Sequence, residues 1–218
     1  MSGATPGPAL LHAGLNLEHA SREEAEQVQS DVFGFWVFLM SDAVVFALLF
    51  ALFGTSLEAT AGGPDLAGVV KLGPAFIETM LLLASSFTFG MGSIMLKRGA
   101  KPRLARHFRP AVLWLTLTWG LGVAFLGMEV NDFATMARHG ATADRSFFLS
   151  AFTVLVGTHG LHVLTGVIWL PVLLLQLASG GLDRPLKVNM IRLSLFWHFL
   201  DIIWIAVFSV VYLQGALR

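Results

Sequence analysis

From Ser146 to Leu170 the chain reads Ser-Phe-Phe-Leu-Ser-Ala-Phe-Thr-Val-Leu-Val-Gly-Thr-His-Gly-Leu-His-Val-Leu-Thr-Gly-Val-Ile-Trp-Leu, and the uncharged run continues to Leu177. About 20 consecutive apolar residues in a helix cross the ~30 Å hydrocarbon core of a bilayer, so this stretch predicts a membrane span. Inside it His159 and His162 stand three residues apart, which on a helix projects both from neighbouring positions of one face. Ionisable side chains at that depth are costly and usually face a bundle interior. Other spans must therefore supply their partners.

Four further segments have the length and apolarity of a span: Val32–Phe53, Ala75–Leu96, Pro110–Phe133 and Met190–Gln214, besides Ser146–Leu177. Gly62-Gly63-Pro64, a basic run from Lys97 to Arg109, and Ser179-Gly180-Gly181 with Pro185 break the chain between them. With 218 residues, 56% hydrophobic and 13% charged, the chain has no room for a large extramembrane domain and does not have a soluble composition. The expected fold is an all-α membrane protein, a bundle of five transmembrane helices forming one domain over residues 32–218. Residues 1–20 are rich in Gly, Pro and Ala without periodicity and read as a mobile tail. Ser21 and Glu24 have capping-box spacing, which predicts a short acidic cytoplasmic helix over 21–31 leading into the first span. The first thirty residues hold no apolar core of a cleaved signal peptide, so insertion is expected through the spans themselves. The lack of cysteine removes disulfides, iron–sulfur clusters, thiolate zinc sites and covalently attached haem.

Orientation follows from the cations. Of the 14 Lys and Arg, one side collects ten: Arg22, Lys97, Arg98, Lys101, Arg103, Arg106, Arg109, Arg184, Lys187 and Arg192. Lys71, Arg138, Arg145 and Arg218 fall on the other. The positive-inside rule then places the amino terminus in the cytoplasm and the carboxyl terminus on the periplasmic side, as an odd helix count requires.

Depth sorts the polar groups within the spans. Asp42 is about 15 Å past Val32 at 1.5 Å per residue, near the midplane. At the same rise His159 and His162 lie roughly 20–24 Å below Ser146, level with His198 and Asp201 on the following span. These four predict one interhelical polar cluster, which would satisfy groups that cost several kcal/mol each when unpaired in hydrocarbon. Spacing leaves a second reading open: a haem or metal site in which His159, His162 and His198 ligate iron, copper or zinc and Asp201 orients them. Asp42, with no basic residue in its own span, must be hydrogen-bonded or protonated. Glu78 and Glu129 fall toward the outer face, with Asp132 a turn beyond, and read as outer-face carboxylates. Pro171 should free the carbonyl of Val167. Gly120, Gly122 and Gly127, and Gly157, Gly160 and Gly166, should permit close helix approach. Trp36, Trp114 and Trp197 at one interface and Tyr212 at the other suggest an aromatic belt, with Trp197 and Trp204 as candidate lipid contacts. No phosphate-binding loop, nucleophile elbow or zinc-protease helix is present.

The Gly157-Thr158-His159-Gly160-Leu161-His162-Val163 segment resembles the Gly-x-His-Gly-x-His-Val motif of subunit III of the haem–copper respiratory oxidases. Trp197-His198-Phe199-Leu200-Asp201-Ile202-Ile203-Trp204 is similar to that family's Trp-His-Phe-x-Asp-x-x-Trp motif. Trp119-Gly120 and Phe125-Leu126-Gly127-Met128-Glu129 resemble its middle helix. Ser41-Asp42 stands where cytochrome c oxidases carry Ser-Glu, and both the Asp and the five spans are like the quinol-oxidase branch of cytochrome bo type. The resemblance implies an accessory subunit with no catalytic centre, haem or copper of its own. Those cofactors would belong to the partner catalytic subunit I of a proton-pumping ubiquinol oxidase in a bacterial inner membrane. It further implies phospholipid bound in a cleft between helix groups, and a role in assembly, stability and sustained proton uptake. Two alternatives stand beside it: a cytochrome c oxidase subunit III, and a stand-alone haem or metal membrane enzyme using His159, His162 and His198.

Overall fold

The computed structural model describes residues 22–57, 59, 72–98, 109–180 and 183–214. The expected tail over 1–20, Ser21 of the capping box, Gly62-Gly63-Pro64, the basic run between Arg98 and Arg109, and Gly181 lie outside them. The described residues form helices α1 (Arg22–Ser56), α2 (Leu72–Arg98), α3 (Arg109–Arg138), α4 (Phe147–Gly180) and α5 (Arg184–Val207), the last continuing into a π-helical segment, Phe208–Leu213. Among these residues five helices, 25 to 33 residues long, are apolar enough to cross a membrane. The acidic segment after position 21 and the first span are a single uninterrupted helix.

Local chemistry sets several of these boundaries. Ser146 caps α4, its Oγ accepting the Leu149 N–H at 3.2 Å. Pro185 occupies the first turn of α5, where a missing N–H costs nothing. The end of α3 is a Schellman motif: Gly140 takes φ +74°, and the N–H groups of Ala141 and Gly140 reach the carbonyls of Met136 and Ala137 at 3.0 Å each. Pro171 does not end α4. The Val167 carbonyl that it deprives of a helical partner accepts the Trp119 indole N–H from α3 at 3.0 Å.

Helices α4 and α5 lie in the middle, with α1 against both of them on one side and the α2–α3 pair on the other. In lipid, helices associate through close packing and interhelical hydrogen bonds rather than through the hydrophobic effect. Fully buried Phe46, Phe53, Phe89, Phe125 and Phe148 supply the packing. Close approach is realised at only three of the six glycines expected to provide it. A Cβ on Gly122, Gly160 or Gly166 would meet a neighbouring side chain at 3.0 Å or less, whereas Gly120, Gly127 and Gly157 face open space.

Trp197 and Trp204 require a correction. Both are 1% exposed, so neither contacts lipid and Trp197 is no part of an aromatic belt. The Trp197 ring lies between Gly122 of α3 and Gly166 of α4, which have no side chain to exclude it. Tyr212 is likewise buried, against Phe152, Trp204 and Phe208, and not displayed at an interface.

Candidate functional site

The mid-depth polar residues do not form one cluster. Depth fixes height along a helix but not direction around it, and residues three apart differ by about 60° at 3.6 residues per turn. That angle sends the two histidines of α4 to different neighbours. His162 turns toward α1: its Nε2 lies 3.3 Å from Asp42 Oδ2, while its Nδ1 donates to the Thr158 carbonyl at 2.7 Å. Both ring nitrogens thus face oxygen atoms. The Asp42 contact is at ion-pair distance without hydrogen-bond geometry, leaving Oδ2 formally unsatisfied. His159 turns toward α5, where Nε2 donates to the Leu200 carbonyl at 3.3 Å. Its ring sits between Phe125 and Trp204, fully enclosed, and its Nδ1 has no hydrogen-bond partner.

His198 belongs to a third contact, between α5 and α2. Its Nδ1 is 2.7 Å from Ser86 Oγ and 3.7 Å from Asp201 Oδ2. The second distance is too long for a hydrogen bond and is an electrostatic contact. The imidazoles of His159, His162 and His198 therefore approach different helices. Among the described residues no group of three or more His, Asp or Glu side chains could hold a metal ion.

Sequence inspection missed the partners that α2 supplies. Trp197 Nε1 donates to Ser85 Oγ at 3.0 Å, and Trp204 Nε1 to Thr79 Oγ1 at 3.1 Å. Seven residues separate the two tryptophans, which puts them on the same helical face two turns apart. Thr88 and Thr118 join α2 to α3 through their hydroxyls, 2.8 Å apart. The signal was present in Ser85-Ser86-Phe87-Thr88, a polar run inside an apolar span. Hydroxyls bonding back to their own helix usually explain such a run, and Ser85 does bond to the Leu82 carbonyl as well.

The outer-face carboxylates do converge. Glu78 of α2 and Glu129 and Asp132 of α3 line one cavity of about 110 Å³ together with Tyr212, His139, Thr135 and Phe152. Glu78 is 1% exposed and Glu129 5%. The Glu129 head group rests on α4, because a Cβ at Gly160 would fall 2.5 Å from its Oε1. The π-helical turn contributes Tyr212 to the cavity lining. In the nearby α3–α4 loop, Arg145 Nη1 donates to the Gly140 carbonyl at 3.0 Å. A hydrogen bond from Thr142, joined by one from the backbone, holds the Asp144 carboxyl below its ordinary range.

Five membrane-crossing helices stitched by tryptophan, histidine and hydroxyl contacts define a multi-pass membrane protein, and its motifs place it more narrowly. The chain belongs to the cytochrome c oxidase subunit III family, whose profile matches residues 19–216. It is 47% identical over 186 residues to the cytochrome bo(3) ubiquinol oxidase subunit 3 of Pseudomonas aeruginosa, covering 85% of this chain and 86% of that protein. It is 42% identical to the subunit of the same name in Pseudomonas putida, over 87% of this chain and 88% of that one. Cytochrome c oxidase subunit 3 of Bacillus sp. strain PS3 is 38% identical, over 84% of each chain.

Proposed function

We propose that this chain is the accessory third subunit of a haem–copper oxidase that oxidises ubiquinol and reduces oxygen to water. The observation that carries the reading is the 47% identity to a ubiquinol oxidase subunit along nearly the whole of both chains. Catalysis, haem and copper then reside in the partner subunit I, and this chain contributes a rigid bundle beside it. Support for a scaffolding role comes from how the polar residues are used. Asp42–His162 joins α1 to α4, His159 joins α4 to α5, and His198 joins α5 to α2. Each contact spans two helices, and none converges with the others on a reacting centre.

The complex lies in a bacterial inner membrane with the amino terminus of this chain cytoplasmic and its carboxyl terminus periplasmic, as the ten-to-four distribution of Lys and Arg supports. The subunit favours assembly, stability and sustained proton uptake of a proton-pumping complex, and phospholipid fills the cleft beside its helices.

A tagged chain purified from native membranes tests this reading. Co-purifying subunits carrying haem and copper, with quinol-dependent oxygen consumption, are the expected result. Oxidation of cytochrome c instead of quinol would move the chain to the cytochrome c branch. A haem absorption band in the separately purified chain, lost on replacing His159 or His198, would refute the accessory role. Asp42→Asn should leave oxygen reduction largely intact in the assembled complex. Loss of turnover would instead mark Asp42 as an obligatory proton carrier.

A further inference from the structure

We propose that Glu78 and Glu129 form a proton-holding carboxyl pair, loaded from water through the cavity at the α3–α4 loop end of the bundle. The proposal stands on packing and does not depend on the oxidase reading.

Both Glu129 oxygens and Glu78 Oε1 are buried without a hydrogen-bond partner. The two side chains come from different helices to line the same cavity, together with Asp132. The cavity lining contains no Lys or Arg among the described residues. Among the described residues, the titratable groups lining the cavity with the pair are Asp132 of α3, His139 just past its end and Tyr212 of the π-helical segment. From α4 come only Phe152, Val156 and the backbone at Gly160. Two ionised carboxylates sharing this buried cavity, with no Lys or Arg among its described lining residues, would carry both a desolvation penalty and mutual repulsion. A proton on the pair removes both costs, and interacting carboxyls take up and release protons as a unit.

Proton exchange needs a path to water, and the cavity supplies one. At about 110 Å³ it holds several waters, since one needs roughly 10–15 Å³ of such space and two to four polar partners. Its loop-side wall is formed by Thr135, Met136, His139 and Ala141, of which His139 is exposed. The Schellman cap at Gly140 fixes that wall, because its hydrogen bonds tie Ala141 back to Met136. Direct coordination of a metal by these carboxyls does not fit, since no three of the described groups are arranged to hold one.

Infrared difference spectroscopy on the full chain in lipid nanodiscs tests the assignment, comparing wild type with the near-isosteric double variant Glu78→Gln/Glu129→Gln at neutral pH. The wild type should show a protonated-carboxyl carbonyl absorption that the double variant lacks, and this band should shift promptly on transfer to D₂O. Three results would overturn the proposal: no difference band between wild type and double variant, a band that D₂O leaves unmoved for hours, or one abolished by calcium or zinc ions at unchanged pH. The wild-type D₂O and metal measurements need no variant to fold.

Discussion

Gly122→Ala adds a single methyl group at the most confined point of the bundle, and its consequence can be worked from distances. The new Cβ would lie 2.8 Å from Trp197 Cη2 and 3.1 Å from both Trp197 Cζ2 and Val167 Cγ2. The indole cannot slide away: Gly166 backs its other edge, with Cβ space of only 3.0 Å, and Ser85 holds its Nε1 at 3.0 Å. Overpacking of this kind costs about 1–3 kcal/mol, and loss of the indole hydrogen bond adds about 1 kcal/mol. Replacing a helical glycine by alanine returns about 0.5–1 kcal/mol. The net expectation is a destabilisation of about 1–3 kcal/mol. Gly120→Ala, two residues earlier in the same helix, meets nothing within 4 Å and should be neutral or up to about 1 kcal/mol stabilising. The paired design cancels the propensity contribution. Denaturant titration of the purified chains in mixed micelles, followed by tryptophan fluorescence, reads the difference directly. Equal stabilities for the two variants would refute the claim that Trp197 is seated between glycines.

Other perturbations separate the remaining contacts. Trp119→Phe should cost about 1–3 kcal/mol by stranding the Val167 carbonyl, and most of that cost should vanish in a Pro171→Ala background, where the residue at 171 regains its N–H; an equal cost in both backgrounds would count against the assignment. Asp42→Ala and His162→Ala should be non-additive by about 0.5–3 kcal/mol in a double-mutant cycle of unfolding, because the two side chains touch. Trp204→Phe keeps an aromatic side chain but removes the indole N–H that bonds Thr79 and leaves space where the second ring stood, so it should destabilise by about 1–3 kcal/mol. Thr79→Val should then add little in the Trp204→Phe background, as thermal unfolding of the four chains would show.

Much of this was legible in the chain. Apolar runs of sufficient length gave five spans, and all five appear as helices among the described residues. Pro171 announced a free carbonyl, and the structure supplied its partner in Trp119. Depth arithmetic gave height along each helix and merged into one cluster contacts that point in different directions: His159 reaches the Leu200 carbonyl of α5, His162 faces Asp42 of α1 and His198 faces Ser86 of α2. The tryptophans were misplaced for a related reason. An indole on an apolar helix reads the same whether it faces lipid or protein, and only the glycines opposite Trp197 and the hydroxyls opposite both rings decide between them.

The division has a physical origin. Hydrocarbon forces each spanning backbone to satisfy its own hydrogen bonds, so composition and length alone determine that these segments are helices and how many there are. Motif residues, read one by one, determine the family. What the sequence leaves free is the rotation of each helix about its axis and its register against its neighbours, because lipid is as apolar as the side chains that face it. Those two variables are set by contacts between residues distant in the chain: Trp197 between Gly122 and Gly166, Asp42 against His162, and Glu129 on Gly160. Through them the tertiary structure decided that His159 and His162 serve different interfaces and that Glu78 and Glu129 share a cavity.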